Sequence, residues 1–312
     1  MRAVRCEQDR ICVAEVPAPS GSEGVRVRVK SAGICGSDLT MLPLGYLQHT
    51  VGHEFAGLLD DGTPVAVQPT TPCGSCALCR AGDYQLCRTC IDSTLGVYRD
   101  GGMADEAWVD RAGLVLLPAG LAVADACLVE PLAVALHGLG KAGLAGGQRV
   151  AVVGAGSIGL LAAAASRACG CEVAVVARYP AQLRAAEALG VGSEPTGLYD
   201  LVVDAAGSVS AVTRAVELAR PGGALLLLGW NWERIVLPGV ALAEKELVVR
   251  ATMTYGHQSA VRDVDAAAAL LARHPEIPAA VISHRFPLDE ASRAFEIAAG
   301  RQAGAIKVVL EP

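Results

Sequence analysis

Four cysteines fall within fifteen residues, as Cys73-x2-Cys76-x2-Cys79-x7-Cys87. Thiolates that close can share one ion, and an all-sulfur set of four suits tetrahedral zinc. Gly74, Ser75, Arg80 and Asp83 mark the segment as a loop, which offers no core for four free thiols. With every position filled by protein, the expected zinc is structural. A second set is dispersed: Cys35 in Gly33-Ile-Cys35-Gly-Ser37-Asp38, His53-Glu54 after Gly52, and Glu130 before Pro131. Each is weak alone. Together, Cys35, His53 and a carboxylate supply sulfur, nitrogen and oxygen ligands and leave a coordination position open, as a catalytic metal needs.

The third signal is Gly154-Ala-Gly156-Ser157-Ile158-Gly159, between the apolar run Arg149–Val153 and an Ala-rich helical stretch. In that context the pattern predicts a dinucleotide site. The first glycine allows the tight turn, the second admits the pyrophosphate to the backbone, and the third lets helix and strand pack closely. The helix N-terminus then faces the phosphates with free N–H groups. At the end of the next strand, where a carboxylate would bind the ribose 2′-hydroxyl, stand Ala177 and Arg178. A guanidinium with no acid beside it favours NADP, without excluding NAD.

The elements that must position these groups fall into two patterns. Up to about residue 118 the chain is strand-rich: Val25-Arg-Val-Arg-Val-Lys30 alternates at period two, and Pro64–Gln68 is a short apolar run. From about 120, helical stretches (Glu130–Ala142, Ile158–Cys169, Pro180–Leu189, Val209–Ala219) alternate with strands (Arg149–Val153, Glu172–Ala177, Asp200–Asp204, Ala224–Leu228). Helix and strand in turn imply βαβ units and a parallel sheet. A helix at Val261–Ala272, another near Ala291–Ala299 and a strand at Ala305–Leu310 follow. The connection from Leu189 to Tyr199 is too short for the usual helical crossover. It predicts a reduced third strand and one missing helix.

The 312 residues suffice for two domains, and 52% hydrophobic with 19% charged residues describes a well-buried globular protein. A net charge of −6 without a basic stripe argues against nucleic acid as a partner. No apolar leader or spanning segment is read, so no membrane association is expected. Eleven cysteines, an odd number, read as ligands and buried thiols of a cytoplasmic protein rather than as a disulfide framework.

In order and joint presence, these segments resemble the zinc-dependent medium-chain dehydrogenases, the alcohol and polyol dehydrogenase group, over essentially the whole chain. The matching stretches are Ala32–Asp38, Val51–Gly57, the four-cysteine loop, Asp100–Ala104, Val129–Ala133, the glycine turn, Tyr199–Gly207 and Lys307–Leu310. The resemblance implies an α/β fold: a barrel-like (GroES-like) β-rich catalytic domain interrupted by a Rossmann doubly wound parallel-sheet domain, with the active site in the cleft between them. The expected division is residues 1–125 (catalytic, with the zinc loop 73–87), 126–256 (Rossmann) and 257–312 (catalytic again). It further implies catalytic zinc held by Cys35 and His53. Glu130 stands where alcohol dehydrogenases carry a cysteine ligand, and in polyol relatives the Glu54 position can ligate the metal. Which carboxylate touches zinc stays open. Asp38 matches the acid that orients the histidine ligand, and Ser37 matches the group that takes the hydroxyl proton.

The implied activity is hydride transfer between NADP(H), or NAD(H), and a secondary alcohol or ketone such as a polyol, sugar or cyclitol, by a homodimer or homotetramer. The rival reading is a non-catalytic, zinc-stabilised dinucleotide-binding or sensor protein. Three features depart from the family. Thr40 occupies the position of a proton-relay histidine, only seventeen residues separate Cys35 from His53, and the Leu189–Tyr199 connection is short. Trp230-Asn231-Trp232 could line a pocket or a subunit contact. His137 is read as a packing residue, and Cys127, near Glu130, as a buried thiol in preference to a substitute ligand.

Overall fold

The computed structural model describes residues 1–21, 23–230, 234–258, 260–300 and 304–312. Asn231 and Trp232 lie outside the described residues, whereas Trp230 is exposed. The chain divides into two compact units. One comprises Met1–Glu130, Ser259–Pro278 and Ile282–Pro312; the other comprises Pro131–Gln258 and Ala279–Val281.

The first unit opens with the hairpin β1 (Arg2–Glu7) and β2 (Arg10–Glu15). The alternating segment forms β3 (Val25–Gly33), with Val27 and Val29 buried and Arg28 and Lys30 exposed. Its last three residues are buried without alternation, where the strand runs into helix α1 (Gly36–Met41). Then come β4 (Glu54–Leu58), β5 (Pro64–Val67), β6 (Glu106–Val109) and β7 (Leu114–Leu116). β3 is the hub: its first half pairs with β6 and its second half with β4, both antiparallel. The core is aliphatic and includes Val4, Val27, Phe55, Val65, Leu288 and Phe295.

The second unit is a parallel sheet alternating with helices. After α2 (Val129–Lys141), which crosses from the first unit, come β8 (Arg149–Val153), α3 (Ser157–Ala168), β9 (Glu172–Val176), α4 (Pro180–Ala188), β10 (Tyr199–Asp204), α5 (Val209–Leu218), β11 (Ala219–Leu227) and β12 (Val248–Ala251). The strand order is β12-β11-β10-β8-β9. Between α4 and β10 there is no helix, and the expected third strand is reduced to one parallel bridge, Ala174 to Gly192. β11 begins five residues before the apolar run suggests. A register shift between Tyr199 and Leu201 accommodates the extra length, and Arg220 uses it to reach Asp200 at 2.7 Å. The helix expected from Val261 starts at Asp263, because Val261 and Arg262 are extended.

Residues 259–278, with the helix Asp263–Arg273, already belong to the first unit, which is completed by β13 (Ile282–Pro287), α6 (Ala291–Ala299) and β14 (Lys307–Glu311). β14 lies antiparallel to β3, with Val309 opposite Gly33, while Gly33 also faces Glu54 of β4. Three distant stretches therefore meet at one residue. No helix among the described residues is long and apolar enough to cross a membrane.

Candidate active site and metal centres

The loop cysteines converge. Sγ separations are 3.5 Å for Cys76–Cys79, 3.6 Å for Cys87–Cys73 and 3.9 Å for Cys73–Cys79. Four sulfurs bound ~2.3 Å from one tetrahedral ion stand about 3.8 Å apart, so the spacing fits zinc and is far too long for a disulfide. Backbone N–H groups of Cys76 and Cys79 donate to Cys73 and Cys76 Sγ, both at 3.4 Å. Donors from Ser75 and Cys76 draw the Cys73 thiol down to about 6, whereas desolvation and the neighbouring sulfurs push Cys79 up to about 12. Sulfurs so close cannot all ionise without a cation among them, and a divalent metal removes the conflict.

The dispersed set also converges. Ligand atoms of Cys35, His53 and Glu54 all lie within 4.8 Å of one another. Local structure explains the placement. Cys35 is the N-cap of α1, and Asp38 reaches back so that its Oδ2 accepts the Cys35 N–H at 3.0 Å. On the other side, residues 50–52 are zipped to 101–103: the N–H groups of Gly101, Gly102 and Met103 donate to the carbonyls of Thr50, Gly52 and Val51, each at 2.8 Å. The Asp100–Ala104 segment is thus a strap that fixes where His53 and Glu54 begin.

His53 lies between two side chains of α1. Its Nδ1 is 3.4 Å from Asp38 Oδ1, and its Nε2 is 3.5 Å from the Ser37 hydroxyl. The Asp38 contact is close but misaligned as a hydrogen bond, which leaves both Asp38 Oδ1 and His53 Nδ1 buried without a hydrogen-bond partner. Burial alone lowers the imidazole pKa, yet Asp38 and Cys35 outweigh it and raise it well above the usual value. The pocket calls for positive charge between a thiol, an imidazole and carboxylates. A soft-to-borderline divalent ion fits that donor set.

Glu130 stands in the first turn of α2, buried, outside the group formed by Cys35, His53 and Glu54. Cys127 is buried, and burial together with the Glu54 carboxylate pushes its thiol up to about 12, as befits a packed thiol. His137 is buried in α2. Thr40, at the position of the absent relay histidine, donates its hydroxyl to the Gly36 carbonyl of its own helix at 3.1 Å.

Sequence reasoning missed Lys307. Its Nζ donates to Glu54 Oε2 at 2.5 Å and to the Ile34 carbonyl at 3.0 Å, and both charged side chains are buried. Burial alone would lower its pKa, but Glu54 and Cys35 reverse the direction and hold it charged. The available signal was a lone lysine within the apolar run 306–310, which demands a buried partner.

In the second unit the glycine turn joins β8 to α3. A Cβ on Gly159 would stand 1.9 Å from the Gly154 carbonyl oxygen, so only glycine permits this approach of helix to strand. Gly156 is the N-cap of α3 and supplies no side-chain acceptor, and the buried Ser157 hydroxyl has no hydrogen-bond partner. Free donors at the start of a twelve-residue helix suit a pyrophosphate. Arg178 is exposed just beyond β9, where its N–H and that of Tyr179 donate to Gln182 Oε1 at 3.0 and 3.2 Å. No acid occupies the end of β9.

Residues 21–119 match the alcohol dehydrogenase GroES-like domain, and residues 124–311 match the glucose dehydrogenase C-terminus. L-galactonate-5-dehydrogenase of Escherichia coli K12 is 29% identical over 95% of this chain and 94% of its own length. The crystal structure of galactitol-1-phosphate dehydrogenase from Escherichia coli is similar at TM-score 0.88 and 28% identity, covering both chains completely. A Sinorhizobium meliloti 1021 protein described as a zinc-binding dehydrogenase and crystallised with NADP is similar at TM-score 0.84 and 29% identity. That match covers 100% of this chain and 99% of the other.

Proposed function

The chain belongs to the zinc-dependent medium-chain dehydrogenase/reductase family, and from that premise we propose that it interconverts a polyol or sugar-derived secondary alcohol and its ketone. It is an oxidoreductase that uses zinc and NAD(P), with NADP as the preferred form. The observation that carries the substrate reading is the meeting of Cys35, His53 and Glu54 beside the Ser37 hydroxyl. Relatives named for L-galactonate and galactitol 1-phosphate support a polyhydroxylated substrate.

In this reading Cys35, His53 and Glu54 hold the catalytic zinc, with Glu130 near its coordination sphere, and Cys73, Cys76, Cys79 and Cys87 hold the structural one. Zinc supplies a Lewis acid for the substrate oxygen. Ser37 Oγ would accept the hydroxyl proton while passing its own on to water, and Asp38 would keep the His53 ring in one orientation. Gly154, Gly156, Ser157, Ile158 and Gly159 carry the cofactor pyrophosphate, and Arg178 pairs with the 2′-phosphate. Residues 1–125 and 257–312 form the catalytic share of the chain, and 126–256 the cofactor-binding share.

The enzyme works as a homodimer or homotetramer in the cytoplasm. β12 supports the first point: it is an edge strand with all four residues exposed, Val248 at 54%, an unpaired edge suited to a second copy. Eleven unpaired cysteines support a reducing compartment.

The test is metal analysis combined with a panel of polyols and ketoses assayed with NADP and NAD. Two zincs per chain and turnover of a polyol are expected. One zinc with cofactor binding but no turnover would instead identify a non-catalytic binder.

A further inference from the structure

The buried pair Glu54–Lys307 sits inside the ligand set rather than away from it. Glu54 shows two faces: its carboxylate belongs to the group formed with Cys35 and His53, yet Oε2 accepts a hydrogen bond from the Lys307 ammonium at 2.5 Å. Lys307 is anchored in turn, since Nζ also donates to the Ile34 carbonyl, one residue before the ligand Cys35. The ammonium is therefore fixed to the backbone that carries the sulfur.

Gly33 makes this seat available. It lies opposite Glu54 in one strand pairing and opposite Val309 in the other. A Cβ there would stand 2.3 Å from Glu54 Oε2 and 3.3 Å from Lys307 Cδ. Oε2 occupies the space that any other residue's side chain would fill. An alanine would force the carboxylate, the free end of a flexible side chain, out of reach of its lysine.

Charge decides what this does to a metal. A zinc held by one thiolate and one neutral imidazole keeps a net charge of +1, and full ligation by Glu54 cancels it. A carboxylate paired with a buried ammonium is already neutralised and hydrogen-bonded, so it has less to gain from the metal. A metal with fewer anionic ligands is the stronger electrophile and keeps a position for substrate oxygen.

Resting on the ligand set assigned under Proposed function, we propose that Lys307, seated by Gly33, is a positioning residue that competes with the catalytic zinc for Glu54, weakening that ligand's hold and keeping a coordination position open. Lys307 and Gly33 thus trade metal retention for electrophilicity.

The experiment is zinc release from the purified holoenzyme to a chromogenic chelator. The phase that Cys35→Ser abolishes is assigned to the catalytic site. In Lys307→Met the zinc loses its competitor for the carboxylate, and release in that phase slows on the order of ten-fold, the scale on which groups around ligands act. Lys307→Arg, which keeps the charge, stays near wild type. Gly33→Ala retains the lysine and closes the seat, so it slows the same phase and decides the matter should Lys307→Met fail to fold. Release unchanged or faster in a folded Lys307→Met or Gly33→Ala overturns the proposal. A wild type whose single zinc survives Cys35→Ser overturns the ligand set itself, a separate result that removes the proposal with it.

Discussion

Asp38 lies 3.4 Å from Nδ1 of His53, while its other carboxylate oxygen takes the Cys35 N–H. One buried acid thus braces two candidate ligands separated by seventeen residues. A group in that position fixes ring orientation and raises ligand basicity. Asp38→Asn should keep the helix cap through its amide oxygen but lose the charge facing His53. We expect zinc affinity at this site to fall about 10–100-fold, measured by competition with a chelator, with the cysteine-loop zinc unaffected.

Arg178 is the cationic group at the end of β9, and no acid stands there. Charge-assisted hydrogen bonds contribute roughly 1.5–3 kcal/mol, or about 10–100-fold in affinity. Arg178→Ala should therefore raise the KM for NADP by about that factor and leave the KM for NAD little changed. Paired titrations with both cofactors check it, and equal losses for the two would remove Arg178 from 2′-phosphate recognition.

What was legible in the chain was local. The cysteine spacing, the glycine turn and the short link after Leu189 each encode their geometry within a few residues, and the missing helix follows from chain length alone. Cys35 and His53 were readable as ligand types, because few other roles suit them together. Lys307 was not, since its partner Glu54 is 253 positions away and their meeting depends on the registers of β3 with β4 and β14. The choice between Glu54 and Glu130 was equally hidden. Both are glutamates at the start of an element, and only the tertiary arrangement groups Glu54 with the sulfur and imidazole.

Among the described residues, the four-cysteine loop has little apolar support of its own: Tyr84 and Cys90 pack with Cys76, Cys79 and Cys87. On the proposed reading, its order comes from a metal held by the four cysteines. Cys79→Ser should release one zinc per chain, make residues 73–87 the first site of proteolysis and lower the melting temperature. Limited proteolysis with metal analysis checks this, and an intact loop in a protein lacking that zinc would show that packing suffices.

The acid limit of the fold has a candidate in Asp105, which ties β1 to the segment before β6. Its Oδ2 accepts the Arg2 backbone N–H at 2.7 Å, and its Oδ1 meets the Arg2 guanidinium at 2.7 Å. Burial alone would raise its pKa, but the side-chain and backbone donors of Arg2 outweigh burial and hold it below 3.8. A carboxyl depressed in the folded state gives its full stabilisation above the unfolded value of ~3.9 and loses it as pH falls through the folded value. Both side chains are partly exposed, so solvent screening limits the effect to roughly 1 kcal/mol. Asp105→Asn should therefore melt below wild type at pH 7 by a few degrees. The gap should begin to narrow as pH drops below about 3.9 and close only as pH falls through the lower folded-state value, where the wild-type carboxyl itself becomes neutral. Melting curves of both proteins across that range test the sign: a gap that widens on acidification would mean that Asp105 does not hold the charge that this geometry requires.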